Sequence, residues 1–311
     1  MSFSDREKRI EEKTARAGKK IGRLRILRGN VKKVSVIVPN YNYARYLRWR
    51  ILSIAEQTYP IYELIVLDDA SKDGSRTMIK KLVAEAGRIK PEMRIKMIWN
   101  KENSGKAIAQ WKKGLEAASG DYIWIAEADD IARKDFLRET MKGFEQDSDV
   151  VLAYSESAII NKYGILMMPN FRRSRDKEGT NHFASSYIRS GKDEITEIMA
   201  IRCTIPNVSA VVFKNTPRLK EMMKEALKFE QVGDWYLYAR LLEEGKIFYN
   251  RKSLNLFRVH KESATKRGEV HAKELEEMHK YFKENYNLDT KVLGWMEAEA
   301  NRIRTKYGII K

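Results

Sequence analysis

Short apolar, β-branched segments alternate with amphipathic segments from residue 34 to residue 126, and this alternation limits the possible folds more than any other feature. Four of the apolar segments have the length of strands buried within a sheet. The segments between them repeat apolar residues at helical spacing. The predicted elements are strand 34–38, helix 44–57, strand 64–67, a helix from Ser75, strand 94–99, helix 105–118 and strand 122–126. Successive βα units imply right-handed crossovers, so we predict an α/β fold with a parallel sheet covered by helices on both faces.

The pattern changes after residue 135, where the predicted elements become less regular. They are helix 135–146, strands 150–155, 165–167, 209–213 and 246–249, and two closing helices within 269–311. The sequence Asn161–Gly164 is typical of a hairpin turn. Residues 169–194 are polar and contain a basic cluster, and we predict a loop there.

Composition excludes several classes of protein. Of the 311 residues, 43% are apolar, which is enough to build a core rather than a disordered chain. Cys203 is the one cysteine, so neither an internal disulfide nor a Cys-x-x-Cys zinc site can form. No apolar run reaches the ~18 residues of a membrane span, and the charged N-terminus has no apolar signal core. We therefore expect a protein of a reducing, cytoplasmic compartment.

Positive charge is concentrated at the N-terminus. The chain carries a formal net charge of +17, and twelve basic against four acidic side chains give residues 1–33 a net charge of +8. Residues 4–28 predict a basic helix with a narrow apolar stripe. Such a helix suits a solvated tail, an anionic membrane surface or, least of the three, a nucleic acid. Docking of residues 4–28 on an anionic membrane is the hypothesis that we carry forward.

Acidic side chains follow two of the predicted strands. Asp68 and Asp69 come after the second strand, and Glu127, Asp129 and Asp130 come after the fourth. Ligands of open α/β sheets bind beyond the carboxyl ends of the strands. A carboxylate cluster suits a hard divalent cation, and such a cation suits a diphosphate. Helix caps and turn residues are the alternative interpretation, above all for Asp68 and Asp130.

Two common nucleotide-binding motifs are absent from the sequence. The run Asn103-Ser-Gly-Lys106 is followed by Ala107, where a P-loop needs Ser or Thr, and the upstream glycine is missing. The sequence also contains no GxGxxG. A P-loop NTPase and a dinucleotide-binding Rossmann fold are therefore disfavoured, and a metal-assisted nucleotide site without those loops remains.

Three stretches of the chain, taken in order, resemble family 2 glycosyltransferases with the GT-A fold. They are VSVIVPNYNYARYLRWRILSIAEQTYPIYELIVLDDASKDGS, then NSGKAIAQWKKGLEAASGDYIWIAEADD, then the set IPNVSAVVF, VGDWYLYARLLEEG and LFRVHKESAT. The resemblance covers about residues 34–265 and implies a GT-A domain there, with a Rossmann-like, mostly parallel sheet flanked by helices. Residues 1–33 and 266–311 lie outside it, and we expect them to be a basic helical extension and a C-terminal helical extension.

The resemblance implies a nucleotide site built on five residues. Pro39 and Tyr41 match the first-strand loop that lies along the base, and Asp69 matches the carboxylate that accepts the imide N–H of the base. Glu127 stands first in the family's DxD position, where it would face the ribose or a metal-bound water, and it departs from the usual aspartate. Lys106 is a candidate for a phosphate contact, with a solvated lysine as the alternative.

The resemblance also implies a metal ion and a catalytic base. Asp129, the last residue of the DxD position, would bind Mg²⁺ or Mn²⁺ directly, and His260 in Arg-Val-His would complete the metal site. Asp234 in Val-Gly-Asp-Trp matches the catalytic base. Taken from the residues alone, a single histidine is more often structural and Asp234 is often only a helix cap.

These residues predict a metal-dependent, inverting glycosyltransferase of the hexosyl type. It would move a sugar from a UDP- or dTDP-linked donor to a hydroxyl of a glycan or lipid-linked acceptor, in polysaccharide or glycoconjugate synthesis. We expect it to be peripheral on the inner face of the membrane. One alternative is a sugar nucleotidyltransferase, which usually has a glycine-rich loop where this chain has Pro-Asn-Tyr-Asn-Tyr. The other is a noncatalytic basic nucleic-acid-binding protein.

Overall fold

A ten-stranded mixed sheet organises the computed structural model, which describes residues 31–176, 178–260 and 268–309. The strands are β1 (Val34–Asn40), β2 (Glu63–Asp68), β3 (Arg94–Trp99), β4 (Tyr122–Ile125), β5 (Ile131–Ala132), β6 (Val150–Ile160), β7 (Leu166–Met168), β8 (Tyr187–Ser190), β9 (Val211–Lys214) and β10 (Lys246–Arg258). The helices are α1 (Ala44–Ala55), α2 (Ser75–Ile89), α3 (Ala107–Ala117), α4 (Phe136–Gln146), α5 (Arg172–Arg175), α6 (Gly191–Glu194), α7 (Leu219–Ala226), α8 (Gly233–Leu242), α9 (Gly268–Asn285) and α10 (Thr290–Lys306). A π-helical turn at Ile195–Met199 and a 3-10 turn at Val208–Ala210 complete the elements.

The first four strands are parallel and lie in the order β3-β2-β1-β4. This confirms the predicted α/β fold with a sheet flanked by helices. The strand order reverses between β1 and β4, because the chain first builds outward to β3 and then returns to the other side of β1. A crevice opens at the carboxyl ends of strands where such a reversal occurs. The loops after β1 and β4 therefore meet at the place where a ligand is expected.

Beyond β4 the sheet becomes mixed. Strand β9 is antiparallel to both of its neighbours, β4 and β6. Strands β6 and β10 are parallel to each other, whereas β5 and β8 pair with β10 in the antiparallel sense and β7 does so with β6. Strand β10 pairs with β6 along most of its length and with β5 near its end. Because β5 directly follows the β4–β5 loop, the end of β10 lies beside that loop.

Alternate side chains of β1 enter different hydrophobic cores, one on each face of the sheet. Ile37 belongs to one core, while Val36 and Val38 belong to the other. All seven residues of β1 are buried, as expected for a strand covered on both faces. Helices α3, α7, α8, α9 and α10 contribute to the first core and α1, α2 and α4 to the second.

The prediction of a loop over 169–194 is wrong, because this stretch contains α5, β8 and α6. Arg175, at the end of α5, is buried in an ion pair with Glu156 of β6 and donates to the Thr204 carbonyl at 2.6 Å. Its guanidinium also lies over the Phe183 ring, 3.9 Å from the centroid. The partners are distant in sequence, so no local pattern indicates that this polar stretch is fixed.

Strands β6 and β10 are longer than predicted, extending to Ile160 and Arg258. Their second halves carry buried polar side chains, which interrupt the apolar pattern of a strand. Asn207, which precedes the 3-10 turn, links them: it donates to Ser157 of β6 at 3.0 Å and accepts from Asn255 of β10 at 2.9 Å. The predicted strand 209–213 likewise begins with the 3-10 turn and becomes β9 only at Val211.

Two predictions fall outside the described residues. They are the basic helix over 4–28 and the domain boundary at residue 265, which lies within 261–267. The division into 1–33, 34–265 and 266–311 therefore stays a prediction. Across the described ranges, no helix is both long enough and apolar enough to cross a membrane.

Gly143 marks the closest approach of α4 to β10. A Cβ atom on Gly143 would lie 2.5 Å from three carbons of Phe248, so Gly143→Ala should lower the free energy of unfolding by about 1–3 kcal/mol. Gly294→Ala is the matched control, because Gly294 is exposed on α10 with nothing within 4 Å of an added Cβ. The control should raise stability by about 0.5–1 kcal/mol. Urea denaturation measures both, and equal effects would contradict the packing of α4 on β10.

Candidate active site

Three carboxyl groups lie together in the loop between β4 and β5. The apolar strand β4 ends at Ile125, and Glu127, Asp129 and Asp130 follow within five residues. The main chain of this loop is fixed from two sides, since Arg50 Nε donates to the Glu127 carbonyl at 2.7 Å and the Glu127 N–H donates to Ser209 Oγ at 3.1 Å. The indole N–H of Trp111 donates to Glu127 Oε1 at 2.6 Å. The carboxyl groups are therefore held in place rather than spread into solvent.

Two buried arginines contact the loop between β4 and β5, which we call the carboxylate loop (residues 126–130). Arg258, at the end of β10, donates from Nε to the Asp129 carbonyl at 2.6 Å and from its backbone N–H to Asp130 Oδ1 at 2.8 Å. Arg50, on α1, lies 3.9 Å from Asp130 Oδ2. Both arginine side chains are fully buried, so each guanidinium has been taken out of water beside the carboxyl groups that it attracts.

Burial controls the titration of the groups at the site. Burial, together with the neighbouring Asp129, raises the pKa of Glu127 to about 8 and that of Asp130 to about 7. Burial lowers the pKa of Arg50 to about 10 in spite of the nearby carboxylates. Three carboxyl groups and two guanidinium groups thus share a site in which removal from water opposes the charged forms. A cation placed here would favour the ionised carboxylates.

Asp129 and His260 are in direct contact although 131 residues separate them in sequence. His260 Nε2 lies 2.8 Å from Asp129 Oδ2, and the imidazole is packed between the rings of Tyr43 and Tyr46 at 5.4 and 5.2 Å. The pair presents one oxygen and one nitrogen donor at the edge of the carboxylate loop. Within 31–176, 178–260 and 268–309, no three His, Cys, Asp or Glu side chains are arranged to hold a metal ion. A metal bound by the pair would complete its coordination with ligand or water oxygens.

Asp69 lies at the end of β2 with both carboxylate oxygens already accepting hydrogen bonds. Its donors are Asn100 Nδ2 at 2.5 Å, Asn103 Nδ2 at 3.1 Å, the Ser104 N–H at 3.0 Å, Ser104 Oγ at 2.8 Å and Gln110 Nε2 at 2.9 Å. The side chain is nearly completely buried. Asp69 thus ties the loop after β3 to the end of β2, beside the crevice.

The remaining nucleotide-site candidates are Pro39, Tyr41 and Lys106, and of these Tyr41 lines a cavity. Pro39 is buried near the end of β1, and Tyr41 follows it with 42% of its surface exposed. Tyr41 lines a cavity of about 620 Å³ together with Asn42, Tyr43, Ala44, Arg45 and Asp73. Lys106 lies just before α3, and its Nζ donates to the Leu227 carbonyl at 2.9 Å, at the end of α7. Its ammonium group is therefore engaged by the protein.

Asp234 stands apart from the Asp129–His260 pair, in the first turn of α8. Its Oδ1 accepts the Trp235 N–H at 2.8 Å, and burial raises the pKa of Asp234 to about 6. One turn later, the buried Tyr238 is within electrostatic reach of both Asp234 and Glu127. Its hydroxyl has no hydrogen-bond partner in the part of the chain that the structure describes. Asp234 and Glu127 therefore both act electrostatically on this one buried hydroxyl.

Sequence reasoning missed the residues that support the site. Arg50 carried a usable signal, because it occupies the apolar face of α1 between Leu47 and Ile54, where a charge needs a buried partner. Arg258 lies two residues before His260 without any such periodic signal. Trp111 was assigned to no role, since a tryptophan on an amphipathic helix is ordinarily core.

Comparison with known proteins agrees with this geometry. The Glycosyl transferase family 2 model matches residues 35–198. Poly(ribitol-phosphate) beta-N-acetylglucosaminyltransferase TarP of Staphylococcus aureus (strain N315) is 34% identical over 140 residues, which cover 43% of this chain and 38% of TarP. The chain spans about a third to a half of the length of the curated relatives it matches.

Two solved structures share the fold at low sequence identity. S. aureus TarS 1-349 in complex with UDP-GlcNAc matches with a TM-score of 0.62 and 17% identity, over 88% of this chain and 73% of that one. The mannosyltransferase PcManGT from Pyrobaculum calidifontis, in complex with GDP-Man and Mn²⁺, matches with a TM-score of 0.58 and 18% identity, over 91% and 77%. The family match covers more than half of the residues and includes the carboxylate loop after β4. The chain belongs to glycosyltransferase family 2 and has the GT-A fold.

Proposed function

We propose that the protein transfers a hexosyl group from a UDP- or dTDP-linked donor to a hydroxyl of a glycan or lipid-linked acceptor, with inversion at the anomeric carbon. The observation that carries the proposal is the Asp129–His260 contact at the carboxyl end of β4, beside the crevice lined by Tyr41. TarS binds UDP-GlcNAc and PcManGT binds GDP-Man with Mn²⁺, which supports a nucleotide-sugar donor here. Polysaccharide or glycoconjugate synthesis is the pathway class that TarP supports.

The base of the donor would lie along Pro39 and Tyr41, with Asp69 accepting its imide N–H. Because every oxygen of Asp69 is already used, the imide must displace a present donor, of which the Asn103 amide at 3.1 Å is the most weakly held. Glu127 would face the ribose. Lys106 could reach a phosphate only by leaving the Leu227 carbonyl.

Asp69→Ala should free the loop that follows β3. The substitution removes the acceptor of the Ser104 N–H and of four side chains, so amide exchange in a peptide containing Ser104 should accelerate about tenfold or more. Asp69→Asn retains one acceptor oxygen and should change exchange less. Hydrogen–deuterium exchange by mass spectrometry makes the measurement, and unchanged protection in Asp69→Ala would show that the loop is held elsewhere.

Asp129 and His260 would hold Mg²⁺ or Mn²⁺. The donor set fits, since one carboxylate oxygen and one imidazole nitrogen face each other beside two further carboxyl groups. Charge on the departing diphosphate is what such a cation would offset. The buried arginines would meanwhile keep the carboxylate loop fixed, so that little reorganisation is needed when the donor binds.

Asp129→Ala should weaken the binding of Mn²⁺ in the presence of UDP at least about tenfold, and His260→Ala should do the same. Asp149→Ala is the matched control, because Asp149 is an exposed carboxylate outside the site. Isothermal titration measures the affinity independently of catalysis. Equal Mn²⁺ affinity in all three variants, or full turnover in EDTA, would exclude the pair as the metal site.

Asp234 would act as the general base of a single displacement. As the acceptor oxygen attacks the anomeric carbon, the bond from that carbon to the diphosphate oxygen breaks and the hydroxyl proton passes to the Asp234 carboxylate. The N-terminus of α8 favours an ionised carboxylate at this position, whereas burial opposes it and leaves the pKa near 6. The group is thus ionised at neutral pH and still basic enough to accept a proton.

Asp234→Asn should lower kcat by ~10²–10⁴-fold while leaving the KM for the donor nearly unchanged. In the unaltered protein kcat should rise with pH through about 6, because the base must be deprotonated, and the Asn variant should lose that limb. Asp289→Asn is the control, since Asp289 is another aspartate at a helix N-terminus, where its carboxylate accepts the Lys291 N–H. Near-normal transfer by Asp234→Asn would leave Asp234 only a structural role at the start of α8, and a product with retained configuration would exclude the single displacement.

We also propose that the protein works as a peripheral protein at the inner face of the membrane, where a lipid-linked acceptor would be found. The basic segment 4–28, with most of the +8 charge of residues 1–33, supports attraction to anionic lipid.

A further inference from the structure

The most exposed apolar segment of the described chain is the hairpin between β6 and β7, which we call the apolar hairpin (residues 161–168). Its large apolar side chains retain much of their surface: Tyr163 69%, Ile165 62%, Leu166 56%, Met167 60% and Met168 40%. Five such residues within six positions are unusual on a soluble protein surface, where exposed apolar side chains are scattered.

The apolar hairpin is uncovered on both of its faces. Successive side chains of a strand point to opposite faces, yet all three residues of β7 are exposed. A protein partner that packs on a flat patch would cover one face and leave the other in water. A medium that surrounds the tip covers both faces at once, and the apolar boundary of a bilayer is such a medium.

Two further exposed apolar side chains lie next to the apolar hairpin. The Val259 N–H donates to the Ile160 carbonyl at 2.9 Å, at the base of the hairpin, and Val259 is 44% exposed. Trp49 lies under the Arg258 guanidinium at 4.9 Å, and Arg258 also donates to the turn of the hairpin. Of the thirteen large apolar residues exposed among the described residues, seven therefore belong to this one region.

Positive charge borders the same region. Residues 157–175 contain no acidic side chain, while Lys162 lies in the turn of the hairpin and Arg172 follows β7 by four residues. Arg172 donates to the carbonyl of Arg251, which brings a third basic residue beside it. Lys162 Nζ lies 4.8 Å from the centre of the Tyr163 ring, the arrangement of an aromatic and a cation that share a membrane interface.

We propose that the apolar hairpin is a membrane-docking element that enters the interface of an anionic bilayer. Ile165, Leu166 and Met167 would lie at the boundary between headgroups and acyl chains, about 5–10 Å deep, with Lys162, Arg172 and Arg251 at the phosphate level. A three-residue strand is too short to pass deeper, and the free edge of β7 keeps its hydrogen bonds to water at that depth.

Docking through this hairpin would place the active site at the membrane surface. Arg258 donates from NH1 to the carbonyls of Asn161 and Lys162 at 3.0 and 3.3 Å, and from Nε to the Asp129 carbonyl. One guanidinium thus joins the turn of the apolar hairpin to the carboxylate loop. An acceptor anchored in the bilayer would present its hydroxyl close to the candidate site without leaving the membrane.

Vesicle flotation with the full chain tests the proposal without relying on activity. The vesicles contain phosphatidylcholine alone or phosphatidylcholine mixed with phosphatidylglycerol. The combined variant Ile165→Ser, Leu166→Ser, Met167→Ser removes the apolar tip, and Lys162→Gln with Arg251→Gln removes two charges. The matched control is Met78→Ser, Ile89→Ser, Met97→Ser, which changes three apolar residues of 37–44% exposure on α2 and β3. Residues 1–33 are unchanged in every variant, so differences report on the altered side chains.

The unaltered chain and the control should float with the anionic vesicles. The Ile165→Ser, Leu166→Ser, Met167→Ser variant, which we call the apolar-tip variant, should bind these vesicles at least about tenfold more weakly. The Lys162→Gln, Arg251→Gln variant should lose about fivefold in affinity for anionic vesicles per substituted residue and should bind phosphatidylcholine vesicles as the unaltered chain does.

Equal binding by the apolar-tip variant and the control would overturn the proposal. A fall in molecular mass of the apolar-tip variant in sedimentation equilibrium without vesicles would also overturn it, because the hairpin would then be an interface between two copies of the chain. Circular dichroism and thermal unfolding check that each variant is folded.

Discussion

The guanidinium of Arg258 is the contact on which the geometry of the candidate site depends. It lies at the end of the longest strand, β10, and donates to the Asp129 carbonyl and to carbonyls in the turn of the apolar hairpin, while the backbone N–H of the same residue donates to Asp130. The guanidinium also packs on the rings of Tyr46 and Trp49 of α1, at 4.8 and 4.9 Å. Burying a guanidinium is costly unless its donors find acceptors, and here the hydrogen bonds and ring contacts reach three different segments: the loop after β4, the hairpin turn and α1. Those segments are therefore fixed relative to one another.

The charges of the site follow from this burial. Arg50 and Arg258 stand behind Glu127, Asp129 and Asp130, so the carboxylate loop keeps its shape although burial opposes ionisation of Glu127. The contact between Asp129 and His260 places one oxygen and one nitrogen side by side, and both are of the kinds that can bind a metal. In the proposed mechanism, such a fixed site would suit a divalent cation that carries a diphosphate, because the protein would not need to rearrange when charge develops on the leaving group.

The parallel half of the sheet and its carboxylates could be predicted from sequence, because both depend on local pattern. β-Branched runs define β1 to β4, and acidic residues directly after β2 and β4 must lie at the same edge of a parallel sheet. The pairing of Asp129 with His260 was expected from the family resemblance and not from spacing.

The second half of the sheet could not be predicted where buried polar pairs replace the apolar pattern. Only the folded chain brings these partners together, as it does for Glu156 with Arg175 and for Asn207 with Asn255. The exposure of residues 163–168 could not be anticipated either, since an apolar run in a sequence normally predicts a buried strand.

Electron spin echo envelope modulation of Mn²⁺ bound together with UDP tests the central claim most directly, because it identifies the atoms next to the metal. The account predicts modulation from one histidine nitrogen and coupling to the phosphorus nuclei of UDP in the same complex. The nitrogen signal should vanish in His260→Gln while the phosphorus coupling is retained. A spectrum with phosphorus coupling but without a nitrogen signal in the unaltered protein, or a nitrogen signal that survives His260→Gln, would contradict the assignment of Asp129 and His260 as the metal site.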